Sequence, residues 1–290
     1  MKKVLLASTA LVLTAGVAAA EFSTSGGGVV GFKYDGTDTM LHYELDFSIS
    51  GSTETDGGVG FTASFDLDLD DGTTTNTIND AEIGIMFGGL SVYVGEIASA
   101  TDKLMVTLPD VGFDGIGADD DTEAAHDKGT YNVLATYDFG MGTVGASFYV
   151  DDSTSTGIDD ISIAAAFDFA GITVAVSYTD QETVNILGET GETLAVGVAG
   201  EAAGFGYNLF YHQFSGDGGA DVSTIGLAGS FDIDSMTTVT AVVGLNEDVS
   251  SDNDFSVGIK RSLGGGVAFA AGVGSINGET VADAGFTFDF

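Results

Sequence analysis

A chain of 290 residues carrying 44 acidic and 7 basic side chains, with formal net charge −37, is repelled by phosphate backbones, which sets nucleic acid aside as a partner. Disorder is excluded as well, because 44% of the residues are hydrophobic and the mean hydropathy is +0.26, so the chain has apolar surface to cover. The absence of cysteine removes a disulfide scaffold, thiolate metal ligands and a lipoprotein anchor together.

The chain opens with Met1-Lys2-Lys3, an apolar run from Val4 to Val17 and then Ala18-Ala19-Ala20, the charged, apolar and small-residue order of a secretory signal. Residues 1–20 are therefore expected to be removed on export, leaving residues 21–290 as the folded domain. From Phe22 onward the pattern changes to a period of two. In the segment Thr39–Ser50, Leu41, Tyr43, Leu45, Phe47 and Ile49 share one parity, and His42, Glu44, Asp46 and Ser48 share the other. In Gly58–Leu69 the apolar set is Val59, Phe61, Ala63, Phe65, Leu67 and Leu69, against Gly60, Thr62, Ser64, Asp66 and Asp68. An extended strand sends successive side chains to opposite faces, so each face meets a different solvent. A one-residue slip would push several carboxylates into lipid, which pins the register.

The same alternation continues through Ala81–Phe87, Leu90–Ile97, Gly129–Phe139, Thr143–Val150, Asp160–Phe169, Ile172–Thr179 and Thr193–Gly200. It goes on through Phe205–Phe214, Val222–Phe231, Thr237–Asn246, Phe255–Leu263, Val267–Ser275 and Ala282–Phe290, about sixteen strands with the first segment, Phe22–Tyr34, counted. Their lengths suit tilted strands crossing a bilayer, and hardly an amphipathic helix lies between them. The fold class read from this is all-β: a transmembrane antiparallel β-barrel. A single proline fits strands that need every backbone donor, and Phe87, Phe139, Phe169, Phe205, Phe231 and Phe286 near strand ends fit an interfacial girdle.

Connections fall into two kinds. Tight turns such as Gly88-Gly89, Gly140-Met141-Gly142, Ala170-Gly171 and Gly264-Gly265-Gly266 are assigned to one rim, and longer acidic links such as Asp70–Asp80 and Asp180–Glu192 to the other. Asp35–Asp38 is short on the long-loop side, and Gly51–Gly57 is long on the short-turn side. The third long link, residues 98–128, holds the only proline, the acidic residues Asp110, Asp114, Asp119, Asp120, Asp121 and Glu123, and apolar Leu104, Met105, Val106, Leu108, Val111, Phe113 and Ile116. A solvated loop does not favour so many apolar residues, so this link is expected to fold into the barrel lumen. The inward parity carries Glu44, Asp46, Asp66, Asp68 and Glu82 with His42, whereas Lys33 and Lys260 are the basic residues of strands on that parity. A wall so charged predicts cation preference.

Competing motifs fail on context. Gly26-x-Gly28-x-x-Gly31 has dinucleotide-site spacing but opens no helix, and Asp66-x-Asp68-x-Asp70 is followed by Asp71 where a calcium loop has glycine. Crowding at Asp119, Asp120 and Asp121 leaves Ca²⁺ as a possible ligand, with no other cofactor required. His42, His126 and His212 leave a barrel-embedded hydrolase as one alternative, and the abundance of Gly and Asp leaves a secreted calcium-binding β-solenoid as another, although no regular repeat supports it.

The leader Met-Lys-Lys-Val-Leu-Leu-Ala-Ser-Thr-Ala-Leu, the large loop after Val92-Tyr93-Val94-Gly95-Glu96 and the ending Gly285-Phe286-Thr287-Phe288-Asp289-Phe290 resemble Gram-negative general diffusion porins, above all the alphaproteobacterial Rhodobacter-type branch. That resemblance implies an outer-membrane barrel of sixteen strands and a homotrimer embedded in lipid and lipopolysaccharide. It also implies a third loop narrowing a water-filled channel for small hydrophilic solutes and ions, and no enzymatic activity. It implies too that Phe286, Phe288 and Phe290 form the signal read by the outer-membrane assembly machinery.

Overall fold

The computed structural model describes residues 20–70, 77–118, 131–150, 158–182, 189–219, 221–247 and 253–290. Sixteen strands lie among them: β1 (Glu21–Tyr34), β2 (Thr39–Glu54), β3 (Gly60–Asp70), β4 (Thr77–Phe87), β5 (Leu90–Ile97), β6 (Tyr131–Asp138), β7 (Gly142–Val150) and β8 (Ile158–Phe169) form the first half. The second half comprises β9 (Ile172–Gln181), β10 (Gly191–Ala202), β11 (Phe205–Gly216), β12 (Asp221–Asp234), β13 (Thr237–Glu247), β14 (Asp254–Gly264), β15 (Val267–Ile276) and β16 (Glu279–Asp289). One short helix, α1 (Ala100–Leu104), follows β5. Each strand pairs antiparallel with its sequence neighbours, and β1 pairs with β16, so the sheet closes with no free edge. Lipid offers no hydrogen bonds, and closure gives every strand a partner on each side.

The burial pattern is that of a water-soluble protein turned inside out. Along β9, Ile172, Val174, Val176 and Tyr178 are exposed, while Ala175, Ser177 and Thr179 are buried. On β2, Leu41 and Tyr43 are 56% and 52% exposed, and His42 and Glu44 between and beside them are half-buried. Exterior positions take large apolar side chains because they face hydrocarbon, and the interior takes small or polar ones.

Several strands run further than the alternation suggests: β2 reaches Glu54, β4 begins at Thr77 and β12 reaches Asp234. Near a rim both faces of the wall meet water, so the two-sided pattern fades while backbone pairing continues. This corrects the long link at Gly51–Gly57. Gly51 and Ser52 pair with Phe22 and Glu21, and the true turn is Thr55–Val59, closed by Thr55 N–H to the Val59 carbonyl and Gly58 N–H to the Thr55 carbonyl, each at 2.9 Å. The strand β3 correspondingly begins at Gly60, two residues later than expected.

Two connections on the opposite rim are short. At Asp35–Asp38, the Asp35 carboxylate accepts from Asp38 N–H (2.8 Å) and Thr37 N–H (2.9 Å), which hold its carboxyl below the usual range. Between β15 and β16 the link is Asn277-Gly278 alone, with φ of 52° and 79°, the left-handed pair that a two-residue hairpin requires. Both flank the β1–β16 seam.

Candidate functional site

After Ile97 the chain leaves the wall and meets the barrel interior residue by residue. Ser99 caps α1: its Oγ accepts from Asp102 N–H at 2.9 Å, and the Asp102 carboxylate accepts from Ser99 N–H at 3.4 Å. The next two helix donors find hydroxyls on the wall. Ala100 N–H donates to Ser147 Oγ of β7 (2.9 Å) and Thr101 N–H to Ser162 Oγ of β8 (3.1 Å). The Thr101 hydroxyl lies 2.7 Å from Ser162 Oγ and 3.1 Å from Thr179 Oγ1 of β9, all buried. Thr101→Val should cost about 1–2 kcal/mol by removing the buried hydroxyl that bonds Ser162 and Thr179, a factor of roughly 5–30 in local opening. Trypsin cleavage after Lys103 should accelerate to match, while barrel heat resistance holds.

Further along, Met105 and Val106 pack on Ala175 and Ala195, and the Thr107 carbonyl accepts from Asn208 Nδ2 of β11 at 2.6 Å. Leu108 and Val111 pack with Phe210 of β11 and Val242 of β13. At the tip, the Asp283 carboxylate of β16 accepts from Phe113 N–H (2.9 Å) and Asp114 N–H (3.4 Å). The Phe113 ring lies over the cross-strand pair Gly31 and Gly285, where a Cβ would come within 2.9 Å and 2.8 Å of it respectively. Only glycine leaves that seat open. Finally the Asp114 carboxylate meets Lys33 Nζ of β1 at 2.5 Å and His42 Nε2 of β2 at 2.6 Å. The loop thus touches inward side chains on β7, β8 and β9, then on β10, β11 and β13, and at its tip on β16, β1 and β2.

Carboxylates on β2, β3 and β4 share the same inner face. Asp46 stands opposite Asp68, Ser48 opposite Asp66 and Ser64 opposite Glu82. Asn79 Nδ2 donates to Asp68 at 2.6 Å and Ser64 Oγ to Glu82 at 3.3 Å, which orients two of the acids. Lys260 lies inward on β14, exposed and paired across the sheet with Ala270, whereas Arg261 faces outward and bonds Asp234 (3.3 Å) and Thr237 Oγ1 (2.5 Å). Asp110 is half-buried within the loop. Asp119, Asp120, Asp121, Glu123 and His126 lie outside the described residues.

His212 is buried on β11 and stacks on Phe210 at 5.8 Å, far along the sheet from His42. The aromatic ending lines the exterior seam. Phe286 meets Phe269 edge-on at 5.5 Å, and the Phe290 ring meets Phe47 at 5.4 Å and Phe288 at 6.3 Å. Asp283, Asn208 and the hydroxyl trio Ser147, Ser162 and Thr179 are absent from the sequence-derived set. Their one signal is a polar residue on inward parity among small neighbours, which many solvated lumen residues share.

A closed, lipid-faced barrel with a polar, acid-bearing interior defines the class of outer-membrane channels. The chain belongs to the Gram-negative porin family, whose pattern matches residues 7–280. It is 27% identical over 296 residues to the porin of Fuscovulum blasticum, covering 93% of this chain and all of that protein. Among solved structures it is similar to a triple mutant of Rhodopseudomonas blastica porin, with a TM-score of 0.78, 25% identity, and 93% and 100% of the two chains covered. A five-site mutant of the Rh. blastica porin gives the same TM-score, identity and coverage. The protein is an outer-membrane porin, and porins are channels rather than enzymes, so the hydrolase reading on His42 and His212 is set aside. Closure of the barrel likewise replaces the solenoid.

Proposed function

We propose that the protein is a cation-preferring passive pore in which residues 98–128 form the constriction and the wall of β2, β3 and β4 carries the selectivity. The observation that carries this reading is the division of the interior. Asp114 at the loop tip meets Lys33 and His42 with Glu44 beside them, and Asp46, Asp66, Asp68 and Glu82 continue along the inner face of β2–β4. Solutes pass between these surfaces, and Asp110 with Asp119, Asp120, Asp121 and Glu123 adds negative charge from the loop. Lys33 engages Asp114, and Lys260 is the other basic residue on the inward parity of the strands, so few positive charges face that wall.

Reconstituted channels in a salt gradient should show a reversal potential of cationic sign. Neutralising Glu44, Asp46, Asp66, Asp68 and Glu82 to their amides should lower the cation-to-anion ratio severalfold, most at low salt, since screening acts within about 8–10 Å near physiological ionic strength. An unchanged reversal potential would refute the assignment of the wall. The triple change of Asp119, Asp120 and Asp121 to Asn tests the loop's share and any Ca²⁺ held there, since added Ca²⁺ should then lose its effect on conductance.

The surrounding biology follows from the same reading. Residues 1–20 are removed on export, the apolar exterior contacts lipid and lipopolysaccharide, and three copies associate. Phe286, Phe288 and Phe290 present alternate aromatic rings on one face of the last strand, a pattern the assembly machinery reads.

A further inference from the structure

β2 places His42 and Glu44 two residues apart and so on one inward face, and the loop brings Asp114 to them. One ligand atom from each of the three lies within 4.8 Å of the others. The side chains of His42 and Asp114 are 20% and 18% exposed, sheltered yet open to lumen water. We propose that His42, Glu44 and Asp114 form a site for a borderline divalent transition cation, with Zn²⁺ as the type, that ties the loop to the barrel wall. This rests on the channel reading only in that the site opens to the same lumen.

The donor chemistry selects the ion class. One imidazole nitrogen and two carboxylate oxygens are a set that Zn²⁺ accepts, whereas Ca²⁺ and Mg²⁺ take oxygen ligands and gain little from the imidazole. The Phe113 ring, 6.0 Å from that of His42 and tilted by 58°, borders the imidazole and limits its swing. Asp46, the next inward residue after Glu44, adds negative potential. Binding has to displace the Lys33 ammonium from Asp114 and break the contact of His42 Nε2 with Asp114. Lys33 is therefore an antagonist of the site, and its side chain, 31% exposed, has lumen space to move into.

The test is a Zn²⁺ titration of the full-length detergent-solubilised protein by calorimetry, with single-channel recording in parallel. Wild type should bind Zn²⁺ and lose conductance over the same concentration range. His42→Gln and Glu44→Gln should weaken binding roughly tenfold or more, since even the loss of an outer-shell partner of a metal ligand acts on that scale. Lys33→Met should tighten it severalfold, a gain that misfolding does not produce. Mg²⁺ should act weakly and equally on all variants. Equal Zn²⁺ curves in wild type, His42→Gln and Lys33→Met would overturn the site and leave the pore intact, whereas Zn²⁺ binding by a protein without conductance would overturn the pore and leave the site.

Discussion

Asp283→Ala is expected to give larger and noisier single-channel currents than wild type. The Asp283 carboxylate is 5% exposed and is the acceptor for Phe113 N–H and Asp114 N–H at the tip of the loop. Truncation removes that acceptor from two sheltered donors, at about 1–3 kcal/mol for each group left unsatisfied. The loop tip then opens at least about thirtyfold more often, since two such groups cost at least about 2 kcal/mol together and each 1.4 kcal/mol is a factor of ten. Phe113 leaves its seat on Gly31 and Gly285, Asp114 leaves Lys33 and His42, and the constriction widens. Asp283→Asn keeps one acceptor oxygen and should fall between the two. Wild-type conductance and noise in Asp283→Ala would mean that the tip contributes nothing to the width of the pore.

Removal of Phe290 is expected to abolish accumulation of the folded barrel in the outer membrane. The Phe290 N–H and carbonyl exchange hydrogen bonds with the carbonyl and N–H of Gly26, both at 2.9 Å, so this residue completes the seam between last and first strands. Unpaired backbone groups in hydrocarbon cost several kcal/mol each. Phe290→Ala separates closure from recognition, because it keeps both backbone bonds and loses only ring contacts worth about 0.5–1.5 kcal/mol. Refolding of Phe290→Ala into detergent should therefore proceed nearly as in wild type, while its amount in the membrane of cells falls several-fold. Wild-type amounts in cells would remove the aromatic ending from the assembly signal.

Much of the architecture was legible because a strand's two faces are a local property. Leu41, Tyr43, Leu45 and Phe47 against His42, Glu44 and Asp46 declare two solvents within a few residues, whatever lies elsewhere in the chain. All sixteen segments written from that pattern coincide with strands β1–β16 to within a few residues. The errors gather at the rims, as at Gly51–Gly57, where water on both faces removes the signal although Gly51 and Ser52 still pair with β1. The interior was legible only in part. Glu44, Asp46, Asp66, Asp68 and Glu82 follow from parity alone, but a loop acid says nothing of its partner. Asp114 and Asp119 read alike in the sequence, and only the fold sets Asp114 against Lys33 and His42.

The amino-acid order by itself determined the barrel, its lipid and water faces, the acidic interior and the aromatic ending, because alternation, turn chemistry and charge act over neighbouring residues. The tertiary structure alone decided how the loop is fastened and where a cation site arises. Phe113 and Asp283 lie 170 positions apart, and Lys33 and Asp114 lie 81 apart. No short-range pattern encodes such meetings, since they exist only once the closed sheet has brought β16, β1 and β2 side by side around the same lumen.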